Sequence, residues 1–223
     1  MESKNRKLDI ELILDAYRMG LFPMAENSNT NEVFWVDPEV RGIIPLDQFH
    51  ISRSLRKLLR KKPFVIKFNY NFEQVIQACA EEAEGRNETW INQTIIAAYS
   101  ELFKKEHAHT VECWVDGKLA GGLYGLAIGG AFFGESMFSK QPNASKIALV
   151  YLVDRLFERG FILLDTQFLT QHLKNFGAIE IKRQKYIEIL SDAVSLDRSF
   201  HGRGAFDEDS VLSRILQSNT QTS

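Results

Sequence analysis

The stretch TVECWVDGKLAGGLYGLAI, residues 110–128, decides the fold. Two runs of strand composition flank Asp116-Gly117, and an Asp-Gly pair in that setting predicts a tight antiparallel hairpin. AFFGESMF (131–138) follows Gly129-Gly130 as a further strand. Toward the C-terminus, Asn143 is the expected cap of a helix that runs to Arg159, with Gly160 as its stop. FILLDTQF (161–168) reads as a strand that starts apolar and ends polar. A short helix at 170–175, a strand at 178–181 and a helix at 183–191 follow, and the last fifteen residues read as a frayed polar tail. Toward the N-terminus come a helix from Trp90 to Glu106, a polar EGRNET loop, and a helix from Asn71 to about Ala83. A strand at 64–68 and a helix at 52–62 capped by Ser52 precede them. Helices segregated from a mostly antiparallel sheet make an α+β protein.

The first fifty residues stand apart. A helix at 9–19 capped by Asp9 leads to Gly20, then to a Pro23 loop and extended pieces at 33–36 and 42–46. This is a small α+β unit with too little core to fold alone. The expected division is 1–49 and 50–223.

Composition narrows the function. The 223 residues carry 27 Lys plus Arg against 29 Asp plus Glu, a net charge of −2, so any nucleic-acid contact must come from a local basic patch. Two cysteines, Cys79 and Cys113, argue against a disulfide framework and a thiolate zinc site. No metal or cofactor is expected: no third ligand accompanies His107 and His109, and no GxxxxGK[ST] loop is present. No apolar run approaches the roughly 18 residues of a membrane span, and the N-terminus lacks the apolar core of a signal peptide, so a cytoplasmic location is expected.

Three groups of residues carry chemical promise. Asp165 and Gln167 alternate onto one strand face where the apolar run ends, and such a carboxylate–amide pair can orient a nucleophile or hold a carbonyl. Glu135 lies among Phe132, Phe133, Met137 and Phe138, and strand alternation predicts that it shares a face with Phe133 and Met137. A carboxylate there must be paired, protonated or open to a cleft. Arg53, Arg56, Lys57 and Arg60 recur on one helical stripe that Lys61 and Lys62 extend, with no acid among them. That pattern suits phosphate. Trp35 and Trp90 could wall a pocket or stack on a base.

The same segments resemble the bacterial leucyl/phenylalanyl-tRNA–protein transferases. The matching stretches include AYRMGLFPM, FWVDPEVRGIIPL, FHISRSLRK, TWINQTIIAAY, GAFFGESMFS, NASKIALVYLV and GFILLDTQFLTQHLKNFGAIEI, spread over most of residues 14–181. The chain departs from the family in a short lead before its first helix and in Lys182, where proline is frequent. The resemblance implies a small N-terminal domain and a larger one with an N-acetyltransferase-like (GNAT-like) fold. It implies transfer of Leu or Phe, less readily Met, from aminoacyl-tRNA to proteins beginning with Arg or Lys. The product would be a destabilising N-terminus read by the Clp protease adaptor.

By the same resemblance, Asp165, Gln167 and Glu135 are the catalytic set. Asp165 would orient Gln167 and help to accept the amine proton, and Glu135 would attract the cationic acceptor. Leu123, Phe132 and Met137 would form part of the donor side-chain pocket, with Trp35 and Trp90 near the terminal adenosine or the pocket rim, and the stripe 53–62 would contact the tRNA. Two rivals remain at this level. An acyl-CoA N-acetyltransferase is disfavoured because SKQPNASK, where a pyrophosphate loop would lie, has no glycine. A non-catalytic RNA-binding module would leave the Glu135, Asp165 and Gln167 set unexplained.

Overall fold

A computed structural model describes residues 8–81, 89–202 and 206–217. Asp9 accepts the backbone N–H groups of Glu11 and Leu12 and starts α1 (Ile10–Arg18). Strands β1 (Phe22–Met24) and β2 (Phe34–Val36) pair antiparallel as a two-stranded sheet. Then come β3 (Val40–Ile44), α2 (Arg53–Leu59), β4 (Val65–Phe68), α3 (Phe72–Ala80) and α4 (Gln93–Lys104). The hairpin at Asp116-Gly117 joins β5 (Ala108–Val115) to β6 (Lys118–Ile128), and β7 (Ala131–Ser139) follows. The chain continues through α5 (Ala144–Glu158), β8 (Leu163–Gln167), α6 (Gln171–Lys174), β9 (Ile179–Lys182), α7 (Arg183–Val194) and α8 (Glu208–Gln217).

Seven strands form one sheet in the order β4-β5-β6-β7-β8-β3-β9. Every pairing is antiparallel except β7 with β8, which α5 connects as a crossover. The sheet separates two apolar cores. One face packs against α1, α3, α4 and α7 and holds Tyr17, Tyr99, Phe133 and Tyr186. The other packs against α2, α5, α6 and α8 and holds Leu55, Phe132, Leu152, Leu164, Leu173 and Leu212. Gly121 lets α5 close on the sheet: a Cβ there would lie 2.4 Å from that of Ala144.

The structure corrects four expectations. The division after residue 49 does not hold as a structural boundary, because β3 is an internal strand of the large sheet, paired with β8 and β9. The frayed tail is in part α8, since Val211, Leu212 and Ile215 recur at helical spacing and are buried, and Asp207 accepts the backbone N–H groups of Asp209 and Ser210. Asn143 takes a left-handed conformation and its side chain makes no cap bond; Ser139 Oγ accepts the Ser145 N–H at 2.9 Å instead. The stripe at 52–62 is helical only to Leu59, and Arg60–Lys62 form the turn after it. The EGRNET loop, except Thr89, and the expected helix end at Ala83 lie outside the described residues.

Candidate active site

A β-bulge delivers the first candidate side chain. Between β6 and β7, Tyr124 pairs with Ser136 but Gly125 pairs with Gly134, so Glu135 is the extra residue. The bulge reverses the alternation. Phe133 therefore packs in the core beneath α1 and α4, whereas Met137 packs in the other core, and the shared face expected for Phe133, Glu135 and Met137 is not formed. Glu135 is half-buried, and its Oε1 accepts the hydroxyl of Tyr17 at 2.6 Å. Tyr17 is in turn bonded to the hydroxyl of Tyr99. Burial is the main cause that raises the Glu135 carboxyl pKa to about 8; the Tyr17 bond opposes this and the Asp165 charge adds to it. Burial and the Glu135 charge hold the two tyrosines well above their ordinary range, so they remain neutral donors.

Asp165 sits one strand away, opposite Phe133 in register, and is fully buried. Arg41, 1% exposed, meets it with Nε at 3.0 Å from Oδ1 and Nη2 at 2.8 Å from Oδ2. Tyr186 donates its hydroxyl to Oδ2 at 2.7 Å, and the Gln167 backbone N–H reaches Oδ1 at 2.8 Å. The guanidinium lies between the rings of Phe22 and Tyr186, 4.5 and 4.6 Å from their centroids, and donates to the Gly20 carbonyl at 2.8 Å. Buried charges persist only when paired and hydrogen-bonded, and this pair meets both conditions.

Gln167 ends β8 with a φ of 56°, and the Phe168 N–H closes onto the Thr166 carbonyl at 2.6 Å. This three-residue turn is a strained one. Asp165 holds it through the Gln167 N–H and so fixes where the amide points. Gln167 Nε2 approaches Glu135 Oε1 at 3.3 Å. The structure therefore brings Glu135, Asp165 and Gln167 together, with Asp165 bonded to the backbone N–H of Gln167 and Glu135 beside its amide.

Glu135 and Gln167 open into a cleft of about 780 Å³ lined by both halves of the chain. Its walls are largely apolar: Phe22 and Met24 from β1, Leu123 and Met137 from the sheet, Leu149, Leu152, Leu164 and Leu173 opposite. Trp90 also lines the cleft. Trp35 and Phe132 do not line the cleft. Trp35 pairs with Pro23, on the face of the small sheet opposite Phe22 and Met24. Phe132 is fully buried, 5.5 Å from the ring of Phe200.

Arg53, Lys57, Arg60, Lys61 and Lys62 are exposed and Arg56 is half-buried. Arg56 Nε bonds the Ile51 carbonyl, and Lys62 pairs with Asp209 of α8. No group of three potential metal ligands exists among the described residues. His109 is packed against Phe200, and burial lowers its pKa to about 3. Among the described residues no helix is long and apolar enough to cross a membrane.

Sequence reading missed Arg41, Tyr186, Tyr17 and Tyr99. Arg41 had a signal: an arginine inside VRGII raises the same question as Glu135 inside its apolar strand. The tyrosines carried none, since each also reads as ordinary core.

Comparison with known proteins places this geometry. A solved structure titled "The structure of L-PGS from Bacillus licheniformis" is similar at 14% identity and a TM-score of 0.37, over 74% of this chain. The chain spans 55% of that protein's length. The family model "Leucyl/phenylalanyl-tRNA protein transferase" matches residues 43–191, which include Glu135, Asp165 and Gln167. The model of that family's N-terminal domain matches residues 6–39. The two matches are separated only by residues 40–42, at the start of β3, and together they show that the chain belongs to the leucyl/phenylalanyl-tRNA protein transferase family of aminoacyltransferases.

Proposed function

We propose that the enzyme moves leucine or phenylalanine, and methionine less readily, from aminoacyl-tRNA to proteins with N-terminal arginine or lysine. The product would enter an N-degron route through the Clp protease adaptor in the cytoplasm. The observation that carries this reading is the Glu135–Gln167 pair at the mouth of an apolar cleft. An ester donor is already activated, so the chemistry needs positioning and charge stabilisation rather than a nucleotide or metal. The apolar walls suit an unbranched-at-Cβ apolar side chain and separate similar ones by only about 1–3 kcal/mol per methylene.

In this reading the α-amine attacks the ester carbonyl, the new C–N bond forms and the bond to the ribose 3′ oxygen breaks. Gln167 holds the reacting carbonyl or amine through its amide. Glu135 faces the acceptor and holds the proton that leaves the amine until the 3′ oxygen takes it. Its carboxyl pKa of about 8 lies close to that of an α-amine, ~7.7–8.0, so the exchange is nearly balanced. Asp165 is a positioning residue: Arg41, Tyr186 and the Gln167 N–H occupy it, which disfavours a role as the base.

The test is a transfer assay with radiolabelled leucyl-tRNA and two peptides that differ only in an N-terminal arginine or alanine, without ATP or metal. Label in the arginine peptide alone supports the donor class and the acceptor rule. Label in neither, with tRNA still bound, would overturn the reading in favour of a binding module.

A further inference from the structure

A second cleft of about 550 Å³ lies between the basic helix and the active site. Its floor comes from α2 through Ser52, Ser54, Leu55 and Leu58. Its other walls come from the start of α5, through Asn143 and Lys146, and the end of α6, through Lys174. These two elements also border the catalytic cleft, which takes Ser145 from α5 and His172 and Leu173 from α6. The two clefts are thus neighbours that share walls.

The chemistry of the second cleft is one-sided. No aspartate or glutamate lines it, although acids outnumber bases in the chain. Neither Lys146 nor Lys174 is committed to an ion pair among the described residues. Lys62 shows the contrast: Asp209 already neutralises it. In the lining of the catalytic cleft, two residues before Lys174, the Nε2 atom of His172 is buried without a hydrogen-bond partner among the described residues. Burial first, and Lys146 second, keep that ring neutral, so it can donate one N–H without adding charge. An unpaired buried polar atom in a cleft wall calls for a ligand atom or water. Cations, hydroxyls and amides without acids, leading from a basic helix to a reaction centre, match an anionic chain laid along the groove.

We propose that Lys146 and Lys174 bind backbone phosphates of the single-stranded 3′ end of the donor RNA, with His172 at the point where that end enters the catalytic cleft. The inference rests on aminoacyl-tRNA as donor and adds a route: duplex on α2, unpaired tail across the second cleft, ester at Gln167. Phosphate contacts of this kind fix register without reading sequence.

The experiment measures RNA binding, not transfer, so that its failure and the failure of the proposed reaction remain distinguishable. A fluorescein-labelled hairpin RNA with a four-nucleotide single-stranded 3′ tail is titrated beside the same hairpin without the tail. In the wild type the tail should strengthen binding about tenfold and steepen the dependence on salt by about 1.4 in log–log slope, at ~0.7 per single-strand phosphate. Lys146→Ala with Lys174→Ala should erase the tail's share of both quantities. Lys146→Arg with Lys174→Arg should restore it. A tail effect that survives the alanine pair, or is missing from the wild type, overturns the proposal. So does displacement of the tailed RNA by micromolar coenzyme A, which would assign the cleft to a pyrophosphate instead.

Discussion

Asp165 and Glu135 are carboxylates on adjacent strands, and they are treated in opposite ways. Asp165 has lost all contact with water and receives an arginine fork, a phenol and a backbone N–H. Glu135 keeps one side toward the cleft and has a phenol and an amide on the same oxygen. The first arrangement holds structure together, and the second leaves capacity for a reacting partner. Burial alone therefore does not identify a working acid; what matters is whether its hydrogen-bonding capacity is already used.

The largest expected effect breaks the structural side of this contrast. Arg41→Met strands Asp165 as an uncompensated buried charge, and stability should fall by about 3–5 kcal/mol in urea unfolding at pH 7. Because Arg41 also donates to the Gly20 carbonyl beyond α1, the loss should loosen the attachment of α1 and the two-stranded sheet. A loss below about 1 kcal/mol would mean that water reaches Asp165 in the variant.

The next effect falls on chemistry rather than on folding. Gln167→Asn keeps an amide and tolerates the left-handed backbone, yet shortens the reach toward Glu135. It should lower kcat about 10²-fold, the scale of a lost preorganised donor, while the melting temperature moves by only a few degrees. A large fall in melting temperature with kcat preserved would reverse the assignment and make Gln167 a turn residue only.

Legibility in the sequence follows the same line. The hairpin, the strand LLDTQ and the helices with capping residues are local features, and 2- and 3.6-residue periodicity plus turn chemistry reports them. Asp165, Gln167 and Glu135 were visible as polar residues in apolar strands. Their partners were not, because Arg41 lies 124 positions from Asp165 and Tyr17 lies 118 from Glu135. The bulge at Glu135 was hidden as well: only pairing with β6 reveals the extra residue, and one extra residue reverses every side chain after it. The same reversal explains how Met137 and Phe133 part company. Trp35 was misplaced for a related reason, since the register of β1 with β2 decides which face it takes.

The working side of the contrast can be sharpened with pH. Glu135 carries a folded pKa of about 8, above the ordinary carboxylate range. Between pH ~4.3 and 8 the folded state therefore binds more protons than the unfolded state, and stability declines as pH rises through that window. Glu135→Gln removes the titration. The variant should lose the wild type's decline and be more stable than the wild type at pH 9, by about 1 kcal/mol after screening by cleft water. Its transfer rate should also fall, and the limb that rises toward pH 8 should become shallower, since only the acceptor amine then titrates there. Parallel stability curves for the two proteins would show that Glu135 stays ionised throughout.

The smallest effect separates the basic residues from one another, and it extends the lesson of the two carboxylates to cations. Lys57 and Arg60 are exposed and have no ion pair among the described residues, so each can displace a counterion from RNA. Lys62 is already held by Asp209, and its side chain lies between the stripe and α8. Contact with phosphate there would require the Asp209 pair to break, which cancels much of the gain. Lys57→Ala or Arg60→Ala should therefore reduce the log–log salt slope of tRNA binding by about 0.9 each, whereas Lys62→Ala should change it by less than about 0.3. Asp209→Ala supplies the converse: it releases Lys62, and the slope should steepen toward that of one more phosphate contact. If Lys62→Ala matches Arg60→Ala, the turn after α2 opens toward α8 on binding, and the stripe functions as six cations rather than five.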